Sequence, residues 1–181
     1  MKALLIIGLQ VDLLPGGPAE VPDGQELVAI IIGLMADYEL VVAANFAMPA
    51  DHIMFAANHL WRRPGQVIPL NGHPTLLHLT HCVPGSFGAE LIPGLKSGQI
   101  AFTALMGTDK SIPPYSAFFD VDKQRDTGLA DFLASQKVEQ LDIAGMPLEA
   151  EVQHTLEHAN ALGFNAKLLM DACRSRKPQA D

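Results

Sequence analysis

Charge is scarce in this sequence of 181 residues. Lys, Arg, Asp and Glu make up 18% of it, against about 25% in an ordinary soluble domain. The charges are also unbalanced, with 20 acidic and 12 basic residues and a net charge of −8. A protein without a basic surface has no means of releasing counterions from nucleic acid or of holding an anionic membrane. We therefore expect neither nucleic acid nor a membrane as a partner.

Cysteine and long apolar segments are scarce as well. Cys82 and Cys173 are too few for a disulfide framework, which is consistent with a reducing compartment. We expect Cys82 to be buried and inert, and Cys173 to be a core or helix-entry residue. No apolar run is long enough to cross a bilayer, and the N-terminal segment lacks the cleavage site of a signal peptide. The sequence predicts a soluble, cytoplasmic protein.

Hydrophobic residues, in contrast, make up 49% of the chain. Several apolar runs lack the alternation of half-exposed strands and are typical of parallel strands covered on both faces. These runs span residues 3–9, 40–44, 141–144 and 166–170. Helical patterns of apolar residues lie between them, at residues 24–37, 127–136 and 149–162. The alternation predicts one α/β sandwich domain over residues 1–181, with a mostly parallel sheet.

The segment 64–89 interrupts this alternation. It contains no Lys, Arg, Asp or Glu and is rich in Pro, Gly and His. Loops of this length inside a compact domain are usually functional, and ligands of open α/β sheets bind beyond the carboxyl ends of the strands. We interpret the segment as a long ordered excursion near a functional site.

Two patterns of polar residues could indicate a chemical function without reference to any protein family. His154, Glu157 and His158 match the H-x-x-E-H pattern of inverted zincins, but such a site needs a further ligand far downstream and only residues 159–181 follow. We therefore interpret these histidines as part of a solvated helix face. The second pattern is a set of carboxylates that follow predicted strands and either stabilise helix N-termini or contribute to a site. They are Asp12, Asp51, Glu149 and Glu151.

Short motifs in a fixed order run along almost the whole chain. They are Ala3-Leu4-Leu5-Ile6 with Gln10 and Asp12, Pro15-Gly16-Gly17, Pro49-Ala50-Asp51-His52 with Asn58-His59, His81-Cys82-Val83, Gly107-Thr108-Asp109 with Tyr115-Ser116, Thr127-Gly128-Leu129 and Asp171-Ala172-Cys173-Arg174. Together they resemble the nicotinamidase/pyrazinamidase branch of the isochorismatase-like cysteine hydrolases. The resemblance implies a three-layer α/β/α sandwich with a doubly wound, mostly parallel sheet of about six strands.

The resemblance also implies a reaction. In it, a Cys attacks a carboxamide, an Asp takes the proton of the Cys thiol, and a Lys helps to stabilise the charges of these groups. Here these catalytic positions fall on Glu151, Gly8 and Met106 respectively. Glycine has no side chain to accept a proton, and methionine supplies no charge. A carboxylate is a weak nucleophile toward an amide. The resemblance therefore implies that no catalytic residue is intact.

The metal site and the substrate contacts of the family are altered too. Its Asp and first His fall on Phe46 and Met48, so only His81 remains of the ligand set. Pro147 replaces a residue whose N–H would bind the oxyanion, and proline has none; we expect a cis Met146-Pro147 bond that keeps the loop geometry. The aromatic residues that hold the pyridine ring are replaced by Leu13 and His78.

These changes predict a pseudoenzyme that has lost amide hydrolysis and serves as a small-molecule binder or a structural subunit. Its former active site would be an apolar pocket edged by His78, His81 and Glu151. The candidate pocket residues are Gly8, Leu13, Phe46, Met48, His78, His81, Met106, Pro147 and Glu151. We expect no cofactor, since one imidazole does not make a catalytic zinc site; the alternative is a divalent metal bound weakly at His81.

Two other interpretations stay open. In the first, the chain is a divergent hydrolase in which Glu151, aided by His81 or His78, acts on an unknown substrate. In the second, it is an interaction module, because a chain with few charges has apolar surface to cover. The resemblance also implies a homo-oligomer, either a dimer or a tetramer.

Overall fold

The structure, a computed structural model, describes residues 1–95 and 97–176. Its strands are β1 (Lys2–Ile7), β2 (Leu40–Phe46), β3 (Val67–Leu70), β4 (His73–Leu76), β5 (Phe102–Met106), β6 (Gln140–Gly145) and β7 (Asn165–Cys173). Its α-helices are α1 (Glu26–Met35), α2 (Leu129–Ser135) and α3 (Gln153–Ala161). The strands and helices predicted from the apolar runs are present, with ends that differ by a few residues.

The central sheet has the strand order β5-β2-β1-β6-β7. All of its neighbouring strands are parallel. In its centre, Leu5 pairs with Val42 of β2 on one side and with Ile143 of β6 on the other. This is the predicted α/β/α sandwich with a doubly wound parallel sheet, and the sheet contains five strands in the described residues.

The core forms where the apolar runs meet the apolar stripes of the helices. Residues from Ala3 to Ile7 are buried, as expected of a central strand with both faces covered. Leu27, Ile31 and Met35 repeat every four residues along α1 and form its buried stripe. Within the two described ranges, no helix has the length and apolarity needed to cross a membrane.

The edge strand β5 was not predicted. Ala104 and Met106 are buried, whereas Thr103 and Leu105 are exposed, the latter by 50%. A strand at the edge of the sheet is covered less completely than a central one. It therefore lacks the continuous apolar run by which the other parallel strands were recognised.

The charge-free segment 64–89 contains the antiparallel hairpin formed by β3 and β4. Val67 and Leu76 face each other across the hairpin. After it, an isolated bridge between Phe55 and His78 ties the chain back to the loop that follows β2. The excursion is therefore ordered, as predicted, and it approaches the carboxyl ends of the strands.

The carboxyl ends of β1 and β6 mark the point where the chain reverses its direction across the sheet. From β1 the chain proceeds to β2 and β5 on one side, and it returns to β6 and β7 on the other. Ligands of open α/β sheets bind at this point, because the loops after the two strands diverge there. Here those loops begin at Gly8 and at Met146.

Cys82 and Cys173 are both free and buried. Burial raises the pKa of the Cys82 thiol, and it raises the pKa of Cys173 to about 11. Since the thiolate is the nucleophilic form, both thiols are unreactive at neutral pH. Cys173 ends β7 and lies in the core.

Candidate functional site

Gly8 closes the crevice between β1 and β6. It has a φ of +66°, and its N–H donates a hydrogen bond of 3.0 Å to the carbonyl of Ala44. A β-carbon at this position would overlap the carbonyl oxygen of Met146. The following bond, Met146-Pro147, is cis, as predicted. The position to which the resemblance assigns the catalytic Asp therefore has no room for a side chain in this backbone.

The segment after β6 does not enter α3 directly, although the sequence predicts one helix from residue 149. Residues Leu148–Val152 form a π-helical turn, and α3 begins only at Gln153. Turns of this type are rare and frequently occur at functional sites. This turn carries Glu151, the residue at the nucleophile position.

One carboxylate oxygen of Glu151, Oε2, is buried and has no hydrogen-bond partner in the described residues. Burial raises the pKa of Glu151, and the positive charge of Arg176 offsets part of this effect. A carboxyl group with a raised pKa retains its proton at higher pH than usual, and a protonated carboxyl group is not a nucleophile. Glu151 is therefore better suited to donate a hydrogen bond or a proton than to attack a carbonyl.

Aromatic packing occupies the metal position. Phe46 is buried and its ring lies 6.3 Å from that of His81, while the ring of Phe55 lies 5.4 Å away. His81 is only 4% exposed, and its Nδ1 lies 2.7 Å from the carbonyl oxygen of Leu79. Burial lowers the pKa of His81 to about 4, so its imidazole is neutral at neutral pH.

The donor set around His81 does not fit a catalytic metal ion. Catalytic zinc normally has three protein ligands. In the part of the chain that the structure describes, no three His, Cys, Asp or Glu side chains come together in a way that could hold an ion. Phe46 and Met48 supply no oxygen or imidazole donors at the two altered positions.

Methionine side chains take the place of the lysine and the first histidine. Met48 and Met106 are both fully enclosed by neighbouring residues. Gly107, with a φ of +70°, lies so close to Met48 that a β-carbon there would be 2.7 Å from Met48 Cγ. The charged groups expected of the family are thus replaced by closely packed apolar atoms.

A cavity of about 900 Å³ lies beside this packed region, on the side of Glu151. Its walls come from hairpin β3–β4, from the segment 113–123, from the turn before α3 and from Arg176. Of the nine candidate pocket residues, His78 and Glu151 line it. The other candidates do not line it, because they pack into the protein interior. They are Gly8, Leu13, Phe46, Met48, His81, Met106 and Pro147.

The cavity carries more polar groups than the three that the sequence predicted at its edge. Its lining includes four histidines, both members of an acidic pair, Glu149 and Glu151, and the basic residues Lys123 and Arg176. The apolar candidate side chains Leu13, Phe46, Met48 and Met106 belong instead to the hydrophobic core.

Several of the lining residues were not among those predicted from the sequence. His154 and His158, which we expected on a solvated helix face, are half-buried and face the cavity. The ring of His154 stacks on Tyr115 with a centroid distance of 3.8 Å and an interplanar angle of 7°. The spacing of the two histidines did place them on one helix face. What the sequence does not show is that the segment around Tyr115 covers this face.

Asp120 adds a second buried carboxyl group to the cavity wall. Its Oδ1 accepts a hydrogen bond of 3.4 Å from the N–H of Gly107. Burial raises its pKa to about 6. Burial also lowers the pKa of His78, on the same cavity, to about 3, so this imidazole is neutral.

A Ser–His contact next to the cavity is structural. Ser116 Oγ lies 2.9 Å from His158 Nδ1, a distance typical of a nucleophile and its base. However, this hydroxyl is fully buried and already accepts hydrogen bonds from the backbone N–H groups of Phe118 and Phe119. Its role is therefore to hold the loop between residues 116 and 119.

The other carboxylates at strand ends hold loops in place. Asp12 accepts a hydrogen bond of 2.7 Å from the N–H of Cys82, and Asp51 forms an ion pair of 2.7 Å with Lys110. Glu149 accepts hydrogen bonds from Ser175 Oγ and from the N–H of Arg176. Neither Asp12 nor Asp51 lines the cavity. Of the four carboxylates that follow predicted strands, Glu149 and Glu151 line the cavity.

Comparison with known proteins agrees with this fold. The isochorismatase domain matches residues 2–181, which is nearly the whole chain. The chain belongs to the isochorismatase family. Curated relatives in this family include the nicotinamidase of Escherichia coli, 34% identical over 96% of this chain and 83% of that protein. The nicotinamidase of Acinetobacter baylyi is 31% identical over 96% of this chain and 81% of that protein.

Solved structures of isochorismatase-family proteins superpose closely. The yeast nicotinamidase has a TM-score of 0.91 with this chain, at 28% identity, over 99% of this chain and 90% of that one. The match confirms the family membership and the fold that the sequence motifs implied. The relatives named here are nicotinamidases, which are hydrolases.

Proposed function

We propose that the chain is a nicotinamidase relative that has lost amide hydrolysis and binds a small molecule in the cavity beside Glu151. The observation that carries the proposal is the closure of the site at Gly8. Without a carboxylate there, no base stands between β1 and β6 to activate a nucleophile. The experiment that tests the proposal is an assay for ammonia released from nicotinamide and pyrazinamide.

The remaining groups do not supply a substitute for the lost nucleophile. Attack on an amide needs an activated nucleophile and an adjacent base or electrophile. Glu151 has a raised pKa and no lysine beside it, because Met106 fills that position. The sulfur of Cys82 is buried and holds its proton.

Stabilisation of an oxyanion is weakened as well. The cis bond before Pro147 keeps the turn, but Pro147 has no N–H to donate. Loss of one oxyanion donor costs on the order of 10²- to 10³-fold in rate. This loss adds to the loss of nucleophile, base and lysine, so residual hydrolysis should be undetectable.

We propose further that the protein carries no catalytic metal. The rings of Phe46 and Phe55 cover the imidazole of His81, and its Nδ1 is engaged with Leu79. The alternative, a weak divalent ion at His81, would need other donors that Phe46 and Met48 do not provide.

The cavity supports a binding role. Small-molecule sites have volumes of about 300–1,000 Å³ and combine apolar walls with a few polar groups. The cavity here has a volume of about 900 Å³. Its polar groups include a buried carboxyl group without a partner, which is costly unless a ligand satisfies it.

A second candidate function is hydrolysis with Glu151 as general acid, in the same cavity as His78. The raised pKa of Glu151 favours it, because such shifts are common in catalytic acids. His81 does not line this cavity, so it would take no direct part. Glu151→Gln should abolish any activity found in a screen of amides, esters and phosphates. Glu157→Gln, on the exposed face of α3, is the matched control, and an equal rate in both variants would exclude this function.

We also propose that the chain forms a homo-oligomer, either a dimer or a tetramer. The support is exposed apolar surface near the hairpin: Leu60 is 88% exposed and Trp61 is 96% exposed. Val67 and Leu76 are also exposed where they face each other on the hairpin. Clustered apolar residues on a surface commonly mark an interaction face.

A further inference from the structure

Arg176 brings a positive charge into the cavity from the segment that follows β7. It lines the cavity, and its charge lowers the pKa values of His78, His81 and Glu151. The backbone holds it there, because the N–H of Arg176 donates hydrogen bonds of 3.1 and 3.2 Å to the two carboxylate oxygens of Glu149.

The guanidinium has no carboxylate partner within the described part of the chain. The ion pairs found there join other residues. Three other acidic residues of the cavity lining are engaged elsewhere: Glu149 binds the backbone of Arg176, Asp122 lies 2.8 Å from His73, and Asp120 accepts a hydrogen bond from Gly107. A buried or half-buried arginine usually pairs with an anion, so this one is available to a ligand.

Glu151 provides a second, independent observation. Glu151 lines the same cavity, and its Oε2 is buried and has no partner in the described residues. In its protonated form this carboxyl group has one O–H to donate. A ligand that accepts hydrogen bonds would satisfy both groups, whereas a ligand that only donates would leave Arg176 unpaired.

We infer that the cavity selects a small carboxylic acid, whose carboxylate binds the guanidinium of Arg176 and accepts a hydrogen bond from Glu151. This inference rests on the proposed binding function of the cavity. A carboxylate matches the planar fork of a guanidinium, which can donate two parallel hydrogen bonds to it. A carboxamide presents an NH₂ group to the same fork and cannot accept both bonds.

The other walls favour a ligand with a flat ring. The stacked rings of Tyr115 and His154 line the cavity, together with the neutral imidazole of His78. Aromatic walls bind flat apolar bodies through their faces and edges. The cavity volume of about 900 Å³ leaves room for more than one ring. The preferred ligand class is therefore an aromatic carboxylate.

The test uses 2-naphthoate and its neutral analogue 2-naphthamide as probes of the full-length protein, with titration calorimetry as the readout. We expect 2-naphthoate to bind at least about tenfold more tightly than 2-naphthamide, and Arg176→Gln to weaken only the carboxylate, by about tenfold or more. Arg62→Gln, at an exposed arginine outside the cavity, should leave both affinities unchanged. Equal affinities for the two probes, or an unchanged affinity in Arg176→Gln, would overturn the inference.

Glu151→Gln tests the second contact. A glutamine keeps a neutral donor at this position, so the affinity for 2-naphthoate should stay within about threefold of the wild type, whereas Glu151→Leu should weaken it by about tenfold. Unchanged binding in Glu151→Leu would show that Glu151 makes no contact. Calorimetry measures binding without turnover. A failure of 2-naphthoate to bind as predicted would therefore overturn this inference, whereas detection of amide hydrolysis would refute the proposed function.

Discussion

The carbonyl oxygen of Met146 occupies the space in which a side chain at Gly8 would begin. The two residues follow β1 and β6, the strands that flank the point where ligands of this kind of sheet bind. A backbone that has closed in this way cannot take back an Asp at residue 8 without moving. The resemblance assigns a base to this position, and a base placed here would need a different backbone as well as a different side chain.

Substitution of Gly8 should measure this closure. Gly8→Ala puts a β-carbon into a residue with a φ of +66° and against Met146, whereas Gly16→Ala has a φ of +87° and open space around it. Left-handed strain costs about 1–2 kcal/mol in both variants. The overlap with Met146 should lower the free energy of unfolding by a further amount of about 1–3 kcal/mol, in Gly8→Ala alone. The measurement is the free energy of unfolding in urea, and an equal loss in the two variants would contradict the overlap.

Glu151→Gln should stabilise the protein at high pH. Burial raises the folded-state pKa of Glu151 above its ordinary 4.5, so the wild type binds this proton more tightly when folded. Its contribution to stability is then fully present below pH 4.5 and is lost as pH rises through the folded pKa. The variant, which has no charge to bury, should be more stable than the wild type by about 1–3 kcal/mol at pH 8.

Thermal unfolding at pH 4 and at pH 8 checks this prediction. The two proteins should unfold at similar temperatures at pH 4 and diverge at pH 8. Glu157→Gln removes the same charge from the exposed face of α3, and its effect should stay within about 0.5 kcal/mol. A difference between Glu151→Gln and the wild type that is the same at both pH values would contradict a raised pKa.

Chelation of metal ions should leave the unfolding temperature of the protein unchanged. A bound metal stabilises a fold by mass action, so its removal by EDTA would lower the unfolding temperature. We expect the same unfolding temperature with EDTA, without it and with added Zn²⁺, because Phe46 and Met48 replace two ligands. A rise in the unfolding temperature on addition of metal, if it disappears in His81→Gln, would show that His81 does hold an ion.

The fluorescence of Trp61 should report on the formation of a homo-oligomer. It is the only tryptophan of the chain and is 96% exposed in the single chain. If the surface around it binds a second copy, its fluorescence should shift to the blue as the protein concentration rises, and light scattering should show a dimer or tetramer. Leu60→Ser with Trp61→Ser should give a monomer, whereas Leu162→Ser, at another exposed leucine, should not. A monomeric wild type at micromolar concentration would contradict the proposed oligomer.

The fold could be predicted because its central strands are recognisable from their own amino-acid sequences. Residues 3–7 and 40–44 are apolar without interruption, which only a strand covered on both faces requires. β5 was missed because its outer residues, Thr103 and Leu105, face solvent at the edge of the sheet. The order of the motifs identified the family, and the altered residues within them were visible in the sequence.

The open part of the site could not be predicted in the same way. Whether Phe46 and Met48 line a pocket or pack into the core depends on contacts with His81 and Gly107, which are distant in sequence. Arg176 gives no local signal, because its position follows from the hydrogen bonds of Glu149. The sequence therefore indicated which groups had been lost, and long-range packing decided which groups replaced them.

The assay for ammonia released from nicotinamide and pyrazinamide tests the central claim most directly. Purified protein would be assayed alone and with Zn²⁺, Mn²⁺ or Fe²⁺, beside the nicotinamidase of Escherichia coli as an active control. Loss of the base, the nucleophile and the lysine predicts no ammonia above the buffer blank in any condition. Metal-dependent release of ammonia that is lost in His81→Gln or Glu151→Gln would contradict the account.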